Sequence, residues 1–92
     1  MLFMLERRRY DLLLSKVITQ PSCKKILLRG RADADWVAIP LDAEQMELLA
    51  DTLDDAFQRI GLMDDGEANS VGVEIEAILD RLYDLEEDLS DS

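Results

Sequence analysis

The chain has 92 residues, of which 48% are hydrophobic, and a formal net charge of −11. This length predicts a single domain, and this hydrophobic content excludes a fully disordered chain. No run of about 20 apolar residues is present to span a membrane. The apolar start at residues 1–5 precedes the basic run at residues 7–9, which is the reverse of a secretory signal. Cys23 is the only cysteine, so we expect a cytoplasmic protein without disulfides.

The charges are divided unequally along the chain. Residues 1–31 carry eight basic side chains against two acidic ones, a balance of +6. Residues 32–92 carry nineteen acidic side chains against two arginines, a balance of −17. The division predicts unlike charges on separate regions of the folded chain.

The segment at residues 10–19 has mixed signals. It contains Leu-Leu-Leu, which favours a helix, followed by Val-Ile-Thr, which favours a strand. We predict a strand and leave the helix open. The following Gln-Pro-Ser-Cys at residues 20–23 predicts a turn into the next element.

Two further strands are predicted before the middle of the chain. Residues 24–31 alternate so that Lys25, Arg29 and Arg31 share one face of a strand, opposite the apolar residues. Residues 36–39 form a short third strand, and the residues between these two strands form a hairpin turn. The three strands are expected to form an antiparallel meander.

The second half of the chain predicts two amphipathic helices. Asp42 stands three residues before Gln45, which is the spacing of a capping box, and Gly61 ends the first helix. Ser70 is the predicted cap of the second helix. Residues 86–92 are expected to fray into an acidic tail. The apolar stripes are Met46, Leu49, Leu53, Ala56, Phe57 and Ile60 in the first helix, and Val71, Ile75, Ile78, Leu79 and Leu82 in the second.

These elements predict the fold class. We expect an α+β protein in which a small antiparallel β-meander of about three strands packs against two C-terminal amphipathic helices. Residues 1–92 form one small acidic domain.

The composition argues against catalysis. There is no histidine, which excludes Ser-His-Asp and Cys-His nucleophiles. Lys24 and Lys25 beside Cys23 would favour a thiolate, but an incidental cysteine is the plainer interpretation. No glycine-rich phosphate loop is present, and residues 64–67 lack the ligand spacing of an EF-hand. We predict no enzymatic activity, no cofactor and no metal.

The acidic candidate site is on the second helix. Glu76, Asp80 and Asp84 are spaced by four residues and align on one helix face. Like charges at this spacing cost about 0.2–0.5 kcal/mol per pair. A solvated face is the plainer interpretation. The functional interpretations are, in order, a surface for a basic protein partner, mimicry of a nucleic acid and metal binding.

The basic candidate site is the predicted strand face with Lys25, Arg29 and Arg31. It would suit a phosphate backbone, with Trp36 stacking on a base. Nucleic-acid binding is the less favoured alternative, because the acidic helices repel nucleic acid.

The leading hypothesis is a small non-enzymatic protein–protein interaction module that binds a macromolecular partner through the acidic helical face. A homodimer is expected because the sheet is small and because four apolar residues near the start need a cover. These residues are Leu2, Phe3, Met4 and Leu5.

Overall fold

The computed structural model describes the backbone of residues 1–90 and the side chains of residues 1–87. Three strands and four α-helices organise these residues, with one π-helical turn after the first helix. In chain order they are β1 (Leu2–Glu6), α1 (Arg7–Leu12), the π-helical turn (Leu13–Val17), α2 (Pro21–Leu28), β2 (Arg31–Ala32), β3 (Trp36–Pro40), α3 (Ala43–Ile60) and α4 (Ser70–Ser90).

The strands form one antiparallel sheet with the order β1-β3-β2. Phe3 lies opposite Ile39 and Leu5 lies opposite Val37, and all four side chains are buried. The predicted α+β class is confirmed, with a three-stranded antiparallel sheet and two C-terminal helices. The order differs from that of a meander, because the last strand of the sequence lies in the middle of the sheet.

The first strand was not predicted from the sequence. Residues 2–5 are all apolar, so the sequence lacks the polar and apolar alternation that identifies a half-buried strand. Phe3 and Leu5 point into the core, whereas Leu2 and Met4 point outwards. Buried and exposed side chains therefore alternate along residues 2–5, although all four residues are apolar.

The strand predicted at residues 10–19 is wrong. Most of this segment is helical, and Leu13 and Val17, four residues apart, are both fully buried against the core. One face of a helix places residues at this spacing together. The helix ends at Ile18, where the backbone becomes extended (φ −92°, ψ 113°).

The strand predicted at residues 24–31 is also wrong, and so is the turn at residues 20–23. Pro21 occupies the first turn of α2, where its fixed φ and missing N–H favour a helix start. Cys23, Ile26 and Leu27 are buried, with the i, i+3, i+4 spacing of a helical face. Of residues 24–31 only Arg31 enters the sheet, as the first residue of β2.

The prediction for α3 is confirmed at its start. The Gln45 amide donates a hydrogen bond to Asp42 Oδ1 at 2.8 Å, and the Asp42 amide donates to Gln45 Oε1 at 3.0 Å. The apolar stripe turns out of the core near the end of the helix, since Phe57 is half-buried and Ile60 is exposed. Met46, Leu49, Leu53 and Ala56 are buried.

The cap of α4 is Asn69 and not Ser70. The Gly72 amide donates to Asn69 Oδ1 at 2.8 Å, while Asn69 Nδ2 donates to the Ile60 carbonyl at 2.8 Å. Asn69 therefore closes the end of α3 and the start of α4 with one side chain. The predicted buried face is confirmed for Ile75, Ile78, Leu79 and Leu82.

The predicted acidic tail overlaps the end of α4. The helix continues to Ser90, so Glu86 and Glu87 are helical. The side chains of residues 88–90 and all of residues 91–92 lie outside the described residues, and fraying there stays a prediction. Within the described part of the chain, no helix combines the length and the apolar character needed to cross a bilayer.

Candidate interaction surfaces

The outer face of the sheet carries exposed apolar side chains. Leu2 and Met4 in β1 are 60% and 46% exposed. Their partners across the antiparallel pair are Pro40 and Ala38 in β3. Residues directly opposite each other have side chains on the same face, so these four residues form one outward surface, which we call the outer sheet face.

Trp36 extends the outer sheet face at its other end. It lies opposite Glu6 and is 41% exposed. The Arg81 guanidinium carbon lies 5.5 Å from the centre of the Trp36 ring, and Arg81 Nη1 also pairs with Glu6 Oε1. Arg81 therefore holds the ring by a cation–π contact and leaves part of it open to solvent.

Two of the three predicted basic residues lie beside this face. Arg31 in β2 is opposite Ala38, and Arg29 follows the last residue of α2. Both are exposed, and neither forms an ion pair with a described residue. Lys25 is exposed on α2, so the predicted strand face carrying all three residues does not exist.

A cleft of about 320 Å³ opens where the outer sheet face meets the two arginines. We call it the sheet cleft. Ala38 contributes only a methyl group between Trp36 and Pro40, the neighbouring outward residues of β3, and this leaves space above the strand. The lining residues are Leu2, Arg29, Arg31, Ala38 and Pro40. The sheet cleft therefore offers an apolar floor next to two cationic groups.

The predicted acidic residues lie on a polar, negatively charged surface of α4. Glu76, Asp80 and Asp84 are all exposed along one side of α4. None forms an ion pair with a residue that the structure describes. Their predicted alignment is present, and their role in binding a partner stays a prediction.

Helix packing adds carboxylates that the sequence pattern did not single out. Tyr83 Oη donates a hydrogen bond to Asp54 Oδ2 of α3 at 3.1 Å. Burial, this hydrogen bond and the negative charges of Asp54, Glu86 and Asp51 raise the pKa of Tyr83. Acidic side chains of α3 and α4 therefore converge around Tyr83. In the sequence, Asp51 and Asp54 are three residues apart and lie outside the apolar stripe of α3. This spacing is the signal from which a shared acidic face could have been predicted.

Part of the basic N-terminal run is neutralised within the protein. Glu74 of α4 accepts from Arg9 Nε at 2.7 Å and from Arg8 Nη1 at 3.1 Å. Arg9 Nη1 also lies 2.9 Å from Glu6 Oε2. That contact is an ion pair without hydrogen-bond geometry, so this buried oxygen has a charged partner but no aligned donor. The pairs join α1, β1 and α4.

Cys23 is fully buried instead of lying on a turn. Its Sγ is 3.2 Å from Thr52 Oγ1, and Thr52 Oγ1 donates its own proton to the Leu48 carbonyl at 2.8 Å. Because the hydroxyl proton is used there, the thiol is the donor in the first contact. Burial keeps this thiol away from any external substrate. Among the described residues, no three His, Cys, Asp or Glu side chains are placed to hold a metal ion.

Comparison with protein-family models, with curated proteins and with solved structures finds no match to this chain. Fold analogy therefore contributes nothing about function. The functional proposals below depend on the side chains of the two surfaces.

Proposed function

We propose that the protein is a non-enzymatic protein–protein interaction module that binds a partner protein over its outer sheet face. The observation that carries this proposal is the exposure of Leu2, Met4 and Trp36 on one face, beside Arg29 and Arg31. Aromatic residues, Met and Arg are enriched in protein interfaces. Trp and Arg also dominate the residues that contribute most to binding energy.

Exposed apolar side chains have a physical reason to be covered. Complete burial of a Leu or Met side chain contributes about 1.5–3 kcal/mol relative to exposure. Leu2 and Met4 gain only part of this in the isolated chain, because they are 60% and 46% exposed on the face of the sheet that points away from the core. A partner that covers them supplies the missing burial.

Charge favours a protein partner over a nucleic acid at this surface. Affinity for nucleic acid depends on the number of phosphates neutralised by basic side chains. Two arginines line the sheet cleft, Arg81 is already paired with Glu6, and the whole chain has a net charge of −11. An apolar surface with a small cationic rim matches a protein better than a phosphate backbone.

The acidic helical face is a second candidate surface for the same kind of function. The observation that favours it is the convergence of carboxylates from two helices around Tyr83. Such a surface would bind a basic protein, and nucleic-acid mimicry is its alternative role.

The test is affinity capture from the native cell with the tag at the C-terminus, which keeps β1 free. Replacement of Leu2 and Met4 with Ser removes apolar surface from the outer sheet face. Replacement of Leu62 and Met63 with Ser is the matched control, since these residues form another exposed Leu and Met pair, outside the sheet. Captured proteins should be lost with the first variant and retained with the second.

Two outcomes would contradict the proposal. One is an unchanged set of captured proteins in the Leu2 and Met4 variant, with circular dichroism showing that it is folded. The other is equal loss in both variants, which would indicate nonspecific adhesion to exposed apolar groups.

A further inference from the structure

We infer that the sheet cleft is the specificity pocket of the outer sheet face and takes a short partner segment that carries a bulky apolar side chain next to a carboxylate; this inference rests on the proposed function. The proposed function requires only that the outer sheet face be covered. The lining of the sheet cleft further restricts which partner segments can bind to this face.

The shape of the sheet cleft depends on Ala38. This residue has Met4 on one side and Arg31 on the other, as its direct cross-strand partners. Both neighbours are long, so their side chains rise above the methyl group of Ala38. The volume of about 320 Å³ lies at the lower end of the range for binding pockets, about 300–1,000 Å³. It is suited to one large side chain and one adjacent group.

The lining of the sheet cleft sets the charge of that adjacent group. Leu2, Ala38 and Pro40 provide apolar contact on the floor and on one wall, and Arg29 and Arg31 provide the remaining wall. A guanidinium group can bind a carboxylate with two parallel hydrogen bonds. Neither arginine is engaged by a carboxylate among the described residues. Both remain available for a carboxylate of the partner.

The dimensions of the sheet favour a short segment as the occupant. Strands of five residues span about 16 Å, and three strands are about 10 Å apart from first to last. This footprint is far below the roughly 800 Å² that each partner buries in a typical stable interface. A flat domain would rest mainly on surrounding surface, whereas one short segment can occupy the whole outer sheet face.

A second copy of this chain fits the sheet cleft less well. A two-fold symmetric contact places the same surface patch against itself. The facing sheet cleft of the other copy would have the same lining, which contains no carboxylate, so Arg29 and Arg31 would find no acidic group in it.

The experiment uses two synthetic ten-residue peptides, titrated into the full-length protein labelled with nitrogen-15. Both contain the same Leu and Phe residues, alternating with Asp and Glu in one peptide and with Lys and Arg in the other. The acidic peptide should shift the backbone amide signals of Arg31 and Ala38, while the basic peptide should leave them unchanged. A short single-stranded DNA is the third probe.

Three variants test the sheet cleft itself. Ala38→Gln fills the space above β3 without a change of charge, and reversal of Arg29 and Arg31 to Glu removes the cationic wall. Each of these two changes should lower the affinity for the acidic peptide at least about tenfold, which corresponds to about 1.4 kcal/mol. Reversal of Lys24 and Lys25 to Glu is the matched control, since it makes the same change of charge on α2. It should weaken binding much less.

Three outcomes would overturn the inference. They are equal affinity for both peptides, tighter binding of the DNA at the same amides, and wild-type affinity of a folded Ala38→Gln variant. The last outcome separates the two proposals. If the Leu2 and Met4 variant still loses its captured proteins, the outer sheet face is the interface and the sheet cleft is not its specificity pocket.

Discussion

Arg81 joins α4 to the sheet through Trp36. Its guanidinium carbon lies 5.5 Å from the centre of the Trp36 ring, and its Nη1 pairs with Glu6, the cross-strand partner of Trp36. The side chain of Glu6 is only 21% exposed. Arg81 therefore pairs with one oxygen of a largely buried carboxylate, whose other oxygen faces Arg9, and it also orients the aromatic residue of the outer sheet face.

Loss of this arginine should cost more than loss of a surface arginine. Arg81→Ala should lower the free energy of unfolding by roughly 1–2 kcal/mol, because an ion pair with a largely buried carboxylate and a cation–π contact are lost. Arg59→Ala is the control, since it removes the same charge from an exposed pair with Asp55 on α3. It should cost about 0.3–0.5 kcal/mol. Urea unfolding measures both, and equal losses would show that the contacts of Arg81 add no stability.

The stability of the fold should decrease in acid through Glu74. Desolvation acts to raise the pKa of Glu74, but the hydrogen bonds and charges of Arg9 and Arg8 outweigh it, and the pKa lies below its ordinary value. A carboxyl whose pKa is lower in the folded state stabilises the fold above its unfolded pKa, about 4.3. This contribution is lost as the pH falls through the folded pKa.

The comparison of Glu74→Gln with Glu76→Gln tests this pH dependence. Both variants change one α4 carboxyl into an amide, but only Glu74 is paired with arginines. Urea midpoints measured from about pH 5.5 down to pH 3 should fall less steeply for Glu74→Gln than for the wild-type protein. A slope for Glu74→Gln equal to that of Glu76→Gln would contradict the role of this pair.

The junction of α3 and α4 should tolerate no side chain at Gly72. A Cβ there would collide with the backbone of Gly61, whose carbonyl oxygen is too close for any methyl group. Gly72→Ala should lower the free energy of unfolding by roughly 1–3 kcal/mol, despite the better helix propensity of Ala. Val73→Ala, at the exposed neighbouring position, should change it by less than about 0.5 kcal/mol. Thermal melting compares the two variants, and a neutral Gly72→Ala would show that the helices can separate without cost.

If the acidic helical face binds basic partners, its affinity should reside in Glu76, Asp80 and Asp84. A helix holds these carboxylates in a row about 6 Å apart, so they lose little entropy on binding. Replacing all three with Lys should weaken binding of the Lys and Arg peptide and reduce its dependence on salt. Deletion of residues 87–92 should have the smaller effect. The reverse result, measured by fluorescence anisotropy, would indicate that the helix face is only solvated.

A homodimer remains expected, and the free edge of β1 is the route by which we expect it to form. Met1 and Leu41 exchange two backbone hydrogen bonds of 2.8 and 3.1 Å. In an antiparallel pair such residues alternate with residues whose backbone groups point away. Leu2 and Met4 therefore turn their N–H and C=O groups to the open side of β1, an edge strand. A second copy can pair there while the outer sheet face stays open.

Met4→Pro tests this route, because it removes an edge N–H without removing a bond to β3. It should convert the dimer to a monomer, whereas Met4→Ala should not. Light scattering coupled to gel filtration measures the mass. A monodisperse wild-type monomer at tens of micromolar would contradict the homodimer.

Features that depend on neighbours three or four residues apart could be predicted from the sequence. The capping box of Asp42 and Gln45 is one example, and the buried face of α4 with Ile75 and Leu82 is another. The row of acidic residues on α4 follows from the same periodicity. In each case the helix itself brings the groups together, so their separation in the sequence is enough to predict that they share a face or a contact.

The pairing of the strands and the lining of the sheet cleft could be seen only in the tertiary structure. β1 pairs with a strand whose residues lie 30 to 38 positions away, and the apolar composition of residues 2–5 conceals which of their side chains are buried. The segment containing Lys25 forms a helix because Pro21 favours a helix start and because the apolar face of this helix is buried in the core. These two effects outweigh the strand preference of the alternating sequence. Arg29, Arg31 and Leu2 meet at Ala38 only after the last strand enters between the first two. Such contacts depend on long-range packing, which local periodicity does not encode.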